Sequence, residues 1–141
     1  MRRLLIILLV FIYATVTPAL AGQTHDVKLE NKINHLRIKH DLRPYNSNSK
    51  LQKVAQRRSI RLAEIHKLKH SPNLKKRLRP ALAVGEILGV GRTWRGVYRT
   101  LKHSPEHRGI MLSKTFRQQG AGLTRDKRGR LWVVVVFRKP A

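Results

Sequence analysis

The run Leu131-Trp132-Val133-Val134-Val135-Val136-Phe137 carries no polar residue in seven positions and is dominated by β-branched side chains. Such side chains are stiff at χ1 and suit the pleated surface of a strand better than the crowded surface of a helix. A strand with one wet face alternates apolar and polar residues, whereas one without alternation is covered on both faces. The run therefore predicts a central strand with helices packed on each side of its sheet. Before it, Asp126-Lys127-Arg128-Gly129 reads as a turn. Phe116 to Thr124 reads as the partner strand of a β-hairpin, loosened by Gly120 and Gly122.

The helices needed to cover that sheet lie upstream. From Asp26 to His40, Leu29, Ile33 and Leu36 fall on one stripe. Leu42-Arg43-Pro44 ends that period, because the residue before a proline is pushed out of helical space. A second helix is predicted from about Ser49 to His66, with Leu51, Val54, Ala55, Leu62 and Ile65 inward and Ser49-x-x-Gln52 as a capping box. Its other face holds Lys50, Lys53, Arg57, Arg58, Arg61 and Lys67, with Glu64 as the one acid on the helix. Thr93 reads as the N-cap of a third helix bearing Trp94, Val97, Tyr98 and Leu101. Ser104-Pro105 opens a short fourth, with proline at the first helical position. Trp94, Tyr98 and Trp132 sit on apolar stripes and are assigned to the core.

Between the second and third helices, Ala81-Leu82-Ala83-Val84-Gly85-Glu86-Ile87-Leu88 is apolar except for one carboxylate, and Gly89 and Gly91 mark its exit as a turn. A lone Glu in such a stretch requires a partner, since an unpaired buried charge is costly.

The chain has 31 Lys and Arg against 7 Asp and Glu, a net charge of +24, and no cysteine. Met1-Arg2-Arg3, the apolar run from Leu4 to Tyr13 and the Ala19-Leu20-Ala21 exit read as a secretory signal peptide cleaved after Ala21, the alternative being an uncleaved membrane anchor. This divides the chain into a leader, 1–21, and one domain, 22–141. The expected location is outside the cytoplasm, periplasmic or secreted. Without cysteine the disulfide-rich secreted class is excluded, and stability must come from packing. A polycation of this strength accumulates on anionic surfaces and polymers. With an export signal, the expected partners are anionic envelope polymers or lipid headgroups, and nonspecific nucleic-acid binding is the alternative. The candidate contact residues are Lys50, Lys53, Arg57, Arg58, Arg61, Lys75, Lys76 and Arg77.

Several of these features occur in an order that is more specific than any one of them. They are His70-Ser71 after a long helix, Gly85-Glu86-Ile87 fifteen residues on, Ser104-Pro105-Glu106-His107-Arg108 with Ile110 and Leu112, Gly120-Ala121-Gly122, and the terminal strand. With Asn34 and Arg37 on the opening helix, the chain resembles the small cysteine-free bacterial branch of the CAP superfamily (cysteine-rich secretory, antigen 5 and pathogenesis-related proteins, also called the SCP domain). That resemblance implies an α+β fold, a three-layer α-β-α sandwich closed by the C-terminal hairpin, with a cleft where His70, Glu86 and His107 converge. Members are mostly extracellular and have been linked to divalent metals, to sterols or lipids, and to cell-wall or host-interaction roles. Two departures matter. The family's Gly-Glu-Asn is Gly85-Glu86-Ile87 here. Thr93 to His103 contains no carboxylate where longer relatives carry a second acid, which leaves Glu106 as a weak substitute.

Two imidazoles and a carboxylate are the ligand set of a catalytic zinc site with an open position. His70, Glu86 and His107 thus stand as three alternatives: a hydrogen-bonded cluster that satisfies Glu86, a noncatalytic site for zinc or another divalent metal, or a zinc-dependent hydrolase. A noncatalytic binding domain is the leading expectation. His25, His35, His40, His66 and His103 lie among Lys and Arg and are assigned to solvent.

Overall fold

The structure, a computed structural model, describes residues 24–141. The expected leader over residues 1–21 lies outside them. The deciding run is β4 (Leu131–Pro140), whose first seven residues are all buried. It pairs antiparallel on one side with β3 (Gln118–Arg125) and on the other with β2 (Ala81–Gly91). A two-residue β1 (Asn46–Ser47) runs parallel to β3, giving the order β1-β3-β4-β2.

The period-two geometry of a strand sends alternate β4 side chains to opposite faces. Leu131, Val133, Val135 and Phe137 join the core formed with α1 (His25–Ile38), α4 (Trp94–His103) and α5 (Pro105–Met111). Trp132, Val134 and Val136 join the core formed with α2 (Ser49–Ile65) and α3 (Leu74–Arg77). Helices cover both faces, and the molecule is the three-layer α-β-α sandwich expected. Each fully buried valine contributes about 1.5–3 kcal/mol relative to exposure.

Three local readings are corrected. Gly120 and Gly122 do not loosen β3; they seat α2 on it. A Cβ at Gly120 would stand 2.3 Å from the Gln52 backbone nitrogen, and one at Gly122 would stand 2.2 Å from that of Gln56, so only glycine admits the helix backbone this close. Gly89 and Gly91 do not end their segment either, since β2 continues through both. A Cβ at Gly89 would lie 2.5 Å from Val97 Cγ1, so these glycines make room for α4. Finally, the N-cap of α2 is Asn48, whose side-chain oxygen accepts from Leu51 N at 3.2 Å, and not Ser49. Gln52 does not close a capping box. It donates to Glu30 Oε1 at 3.0 Å.

Thr93 caps α4 as expected, accepting from Gly96 N at 3.1 Å. Ser104 precedes Pro105 at the start of α5, but its hydroxyl bonds the His107 side chain and caps no backbone group. Glu30 on α1 is fully buried. Its carboxylate accepts from Ser47 Oγ, Gln52 and Ala121 N, joining α1, α2, β1 and β3. Arg37, 3% exposed, lies 3.6 Å over the Tyr45 ring and donates to the carbonyls of Arg43, Met111 and Ser113 at 2.8, 2.8 and 2.9 Å. It ties the end of α1 to the end of α5.

Candidate functional site

The register of β2 on β4 decides where Glu86 points. Opposite Val136, it shares the face of Val84 and Leu88 and turns toward the α2 layer. There the carboxylate, 4% exposed, finds its partners in the loop after α2. Oε1 accepts from Ser71 N at 2.8 Å and sits 3.0 Å from His70 Nδ1; Oε2 accepts from Ser71 Oγ at 2.7 Å. Arg58 Nε on α2 lies 3.8 Å from Oε2. The lone carboxylate is thus satisfied by a backbone amide, a hydroxyl, an imidazole and a guanidinium, as burial of a charge demands. With Nδ1–H directed at Glu86, the tautomer rule leaves Nε2 of His70, whose side chain is 65% exposed, for solvent.

His107 is placed differently. Its Nδ1 bonds Ser104 Oγ at 2.8 Å within α5, the helix whose Ile110 and Met111 pack into the core on the other face of the sheet. Glu106 stands exposed in the first turn of α5. Among the described residues no group of three or more His, Cys, Asp or Glu is arranged to hold a metal ion. Of the expected set His70, Glu86 and His107, the structure shows His70 hydrogen-bonded to Glu86 and His107 hydrogen-bonded to Ser104.

The more extensive feature lies beside this pair. Along one flank of α2, Lys50, Val54, Arg57, Arg58, Arg61 and Ile65 recur at three- and four-residue steps and form one wall of a groove; Lys69, Pro72 and Arg77 contribute the other side. The groove encloses about 800 Å³. Five of the eight cations nominated from sequence line it, while Lys53, Lys75 and Lys76 are exposed outside the lining. Lys69 was missed because it falls in a loop without periodicity. No carboxylate lines the groove. Arg61 pairs with Glu64 at 3.2 Å, an exposed pair of small energetic weight. Arg58 is not unneutralised as the sequence suggested, since Glu86 lies behind it. Two contacts brace the walls, Lys50 Nζ to Arg79 O at 3.3 Å and Arg58 Nη2 to Lys69 O.

Comparison with known proteins agrees with this architecture. The model of the CAP cysteine-rich secretory protein family matches residues 30–137. Among solved structures, the chain is similar to an outer surface protein from Borrelia burgdorferi, with TM-score 0.74 and 22% identity, covering 81% of this chain and 91% of that one. It is similar to an extracellular SCP-domain protein from Bacillus anthracis (TM-score 0.72, 17% identity, 82% of this chain and 40% of that one). It is also similar to venom allergen-like protein 4 of Schistosoma mansoni (TM-score 0.69, 12% identity, 84% and 90%). No curated protein sequence matches it. These likenesses concern the fold, and with the family match spanning most of the described residues, the chain belongs to the CAP family of cysteine-rich secretory proteins.

Proposed function

We propose that this CAP domain is a noncatalytic binding protein that works outside the cytoplasm and holds anionic envelope polymers in the α2 groove. One observation carries the reading: six cations, Lys50, Arg57, Arg58, Arg61, Lys69 and Arg77, line a single groove with no carboxylate among them. Guanidinium groups present paired donors that match phosphate and carboxylate oxygens. From Lys50 to Ile65 the helical wall runs about 22 Å at 1.5 Å per residue, which suits several charged units of a polymer better than one lipid headgroup. The extracytoplasmic location is supported by the signal-like N-terminus and by the outer-surface and extracellular character of similar proteins. Among the described residues no helix is long and apolar enough to cross a membrane.

The test is binding of a phosphate-rich envelope polymer at rising salt. Polyion binding through such cations releases counterions, so affinity falls steeply as salt rises. The double variant Arg57→Glu, Arg61→Glu should bind more weakly and with a shallower salt dependence. Salt-insensitive binding, or no effect of the double variant, refutes the reading. Preference for DNA over the envelope polymer at matched salt would assign the groove to nucleic acid instead, and preference for anionic vesicles would assign it to lipid headgroups.

A further inference from the structure

A second basic site is built where the chain leaving α1 meets the connection from α5 to β3. Arg37, Leu42, Arg43, Pro44, Lys114, Phe116 and Arg117 line a cavity of about 190 Å³. None of the seven carboxylates in the chain lines it, and none of its four cations takes part in an ion pair among the described residues. The walls are held in place before any ligand arrives. Arg37 is pinned by the carbonyls of Arg43, Met111 and Ser113, and Arg117 Nη1 donates to the carbonyls of Lys114 and Phe116 at 2.6 and 3.0 Å.

We infer that this cavity is a binding site for a phosphomonoester bearing a small apolar substituent. Four cations around one small space call for a multiply charged anion. A phosphomonoester, with a second pKa near about 6, is largely a dianion at neutral pH and offers three acceptor oxygens. The cavity is smaller than the roughly 300–1,000 Å³ of pockets for drug-sized ligands. Leu42, Pro44 and Phe116 supply an apolar flank for the ester group. Burial lowers the pKa of Arg37, the adjacent Tyr45 partly opposes this, and repulsion from the neighbouring Arg117 lowers it further. An anion between the two guanidiniums relieves that repulsion. The site is distinct from the α2 groove and stands whether or not the groove binds a polymer.

The experiment is calorimetric titration of the intact protein with phenyl phosphate at physiological salt. Saturable binding of one equivalent is expected, weakened at least about tenfold by Arg117→Gln or Lys114→Gln, the scale of one lost charge-assisted contact. Arg128→Gln removes the same charge at the far β3–β4 turn and should change affinity less than about twofold, because distant exposed charges are screened. Arg37 is left intact because it holds both loops, and the melting temperature of each variant reports whether the fold survives. Benzoate, a monoanion of similar shape, should bind more weakly. Vesicles containing phosphatidic acid separate two sources of the same chemistry: displacement of phenyl phosphate assigns the site to a membrane-borne ester, and no displacement assigns it to a soluble one. Absence of saturable binding, equal weakening by Arg128→Gln, or equal affinity for benzoate overturns the inference.

Discussion

Replacing Glu86 by Gln removes a buried charge while nearly preserving volume, and its consequences can be worked out contact by contact. Ser71 N and Ser71 Oγ both donate to the carboxylate. Hydrogen bonds to a charged acceptor contribute about 1.5–3 kcal/mol each, and a neutral amide retains one acceptor oxygen, so roughly half of that survives. Arg58, whose side chain is 13% exposed, loses its compensating charge, and its Nε has no hydrogen-bond partner even with Glu86 in place. Leaving a partly buried guanidinium uncompensated costs a fraction of the roughly 3–5 kcal/mol measured when a fully buried pair is broken. The His70 contact adds little because the ring is largely exposed. The expected loss is about 2–4 kcal/mol, a large part of the roughly 5–15 kcal/mol that holds a domain of this kind folded. Urea denaturation read by linear extrapolation measures it, with an unchanged slope showing that the native state kept its compactness. The same substitution removes negative charge from behind the groove, so binding of anionic polymer should tighten as stability falls. A variant within about 0.5 kcal/mol of the parent, the range of an ordinary surface substitution, would refute the view of Glu86 as the latch between β2, α2 and the loop at His70.

Other contacts yield their own checks. Gly122→Ala should destabilise by about 1–3 kcal/mol or more, because the added carbon meets helix backbone that cannot rotate away; thermal melting checks it. Burial, partly opposed by the adjacent Arg37, pushes the Tyr45 phenol up to about 12 from its usual 10.0. The folded state therefore favours the protonated phenol, and the associated stability is intact below pH 10 and disappears as pH rises toward 12; tyrosinate absorbance and unfolding should rise together there, and a Tyr45→Phe variant should lose this dependence. For Asp126, burial alone raises the pKa, but hydrogen bonds from Trp132, from Arg130 and from the Arg128 amide outweigh it and hold the carboxyl below its ordinary range. Its contribution is present above the ordinary pKa of 3.8 and is lost progressively as pH falls below that value. Asp126→Asn should flatten the acid limb of the urea midpoint plotted against pH.

The placement of the two histidines bears on how CAP relatives are read. In this chain the loop histidine orients on a carboxylate whose oxygens are occupied by Ser71, and the α5 histidine belongs to a helix start.

Periodicity within a short window was enough to recognise the α-β-α architecture. The uninterrupted apolar run of β4, the stripes of α1, α2 and α4, Thr93 as a cap and Pro105 at a helix start depend on residues close together along the chain, and all are legible without coordinates. The row of cations on α2 was equally visible, since spacing of three and four residues places side chains on one face. What distant segments do to one another was not visible. Gly120 and Gly122 read as weak points until α2 lay on them. Gln52 read as a capping residue until Glu30 arrived from α1. Arg58 read as unneutralised until the β2–β4 register turned Glu86 toward it. The same register set Glu86 among Ser71, His70 and Arg58, while His107 was engaged within α5. Side-chain direction on a strand changes face with a single residue of register, and that register is set by pairing between segments some fifty residues apart, so no local pattern encodes it.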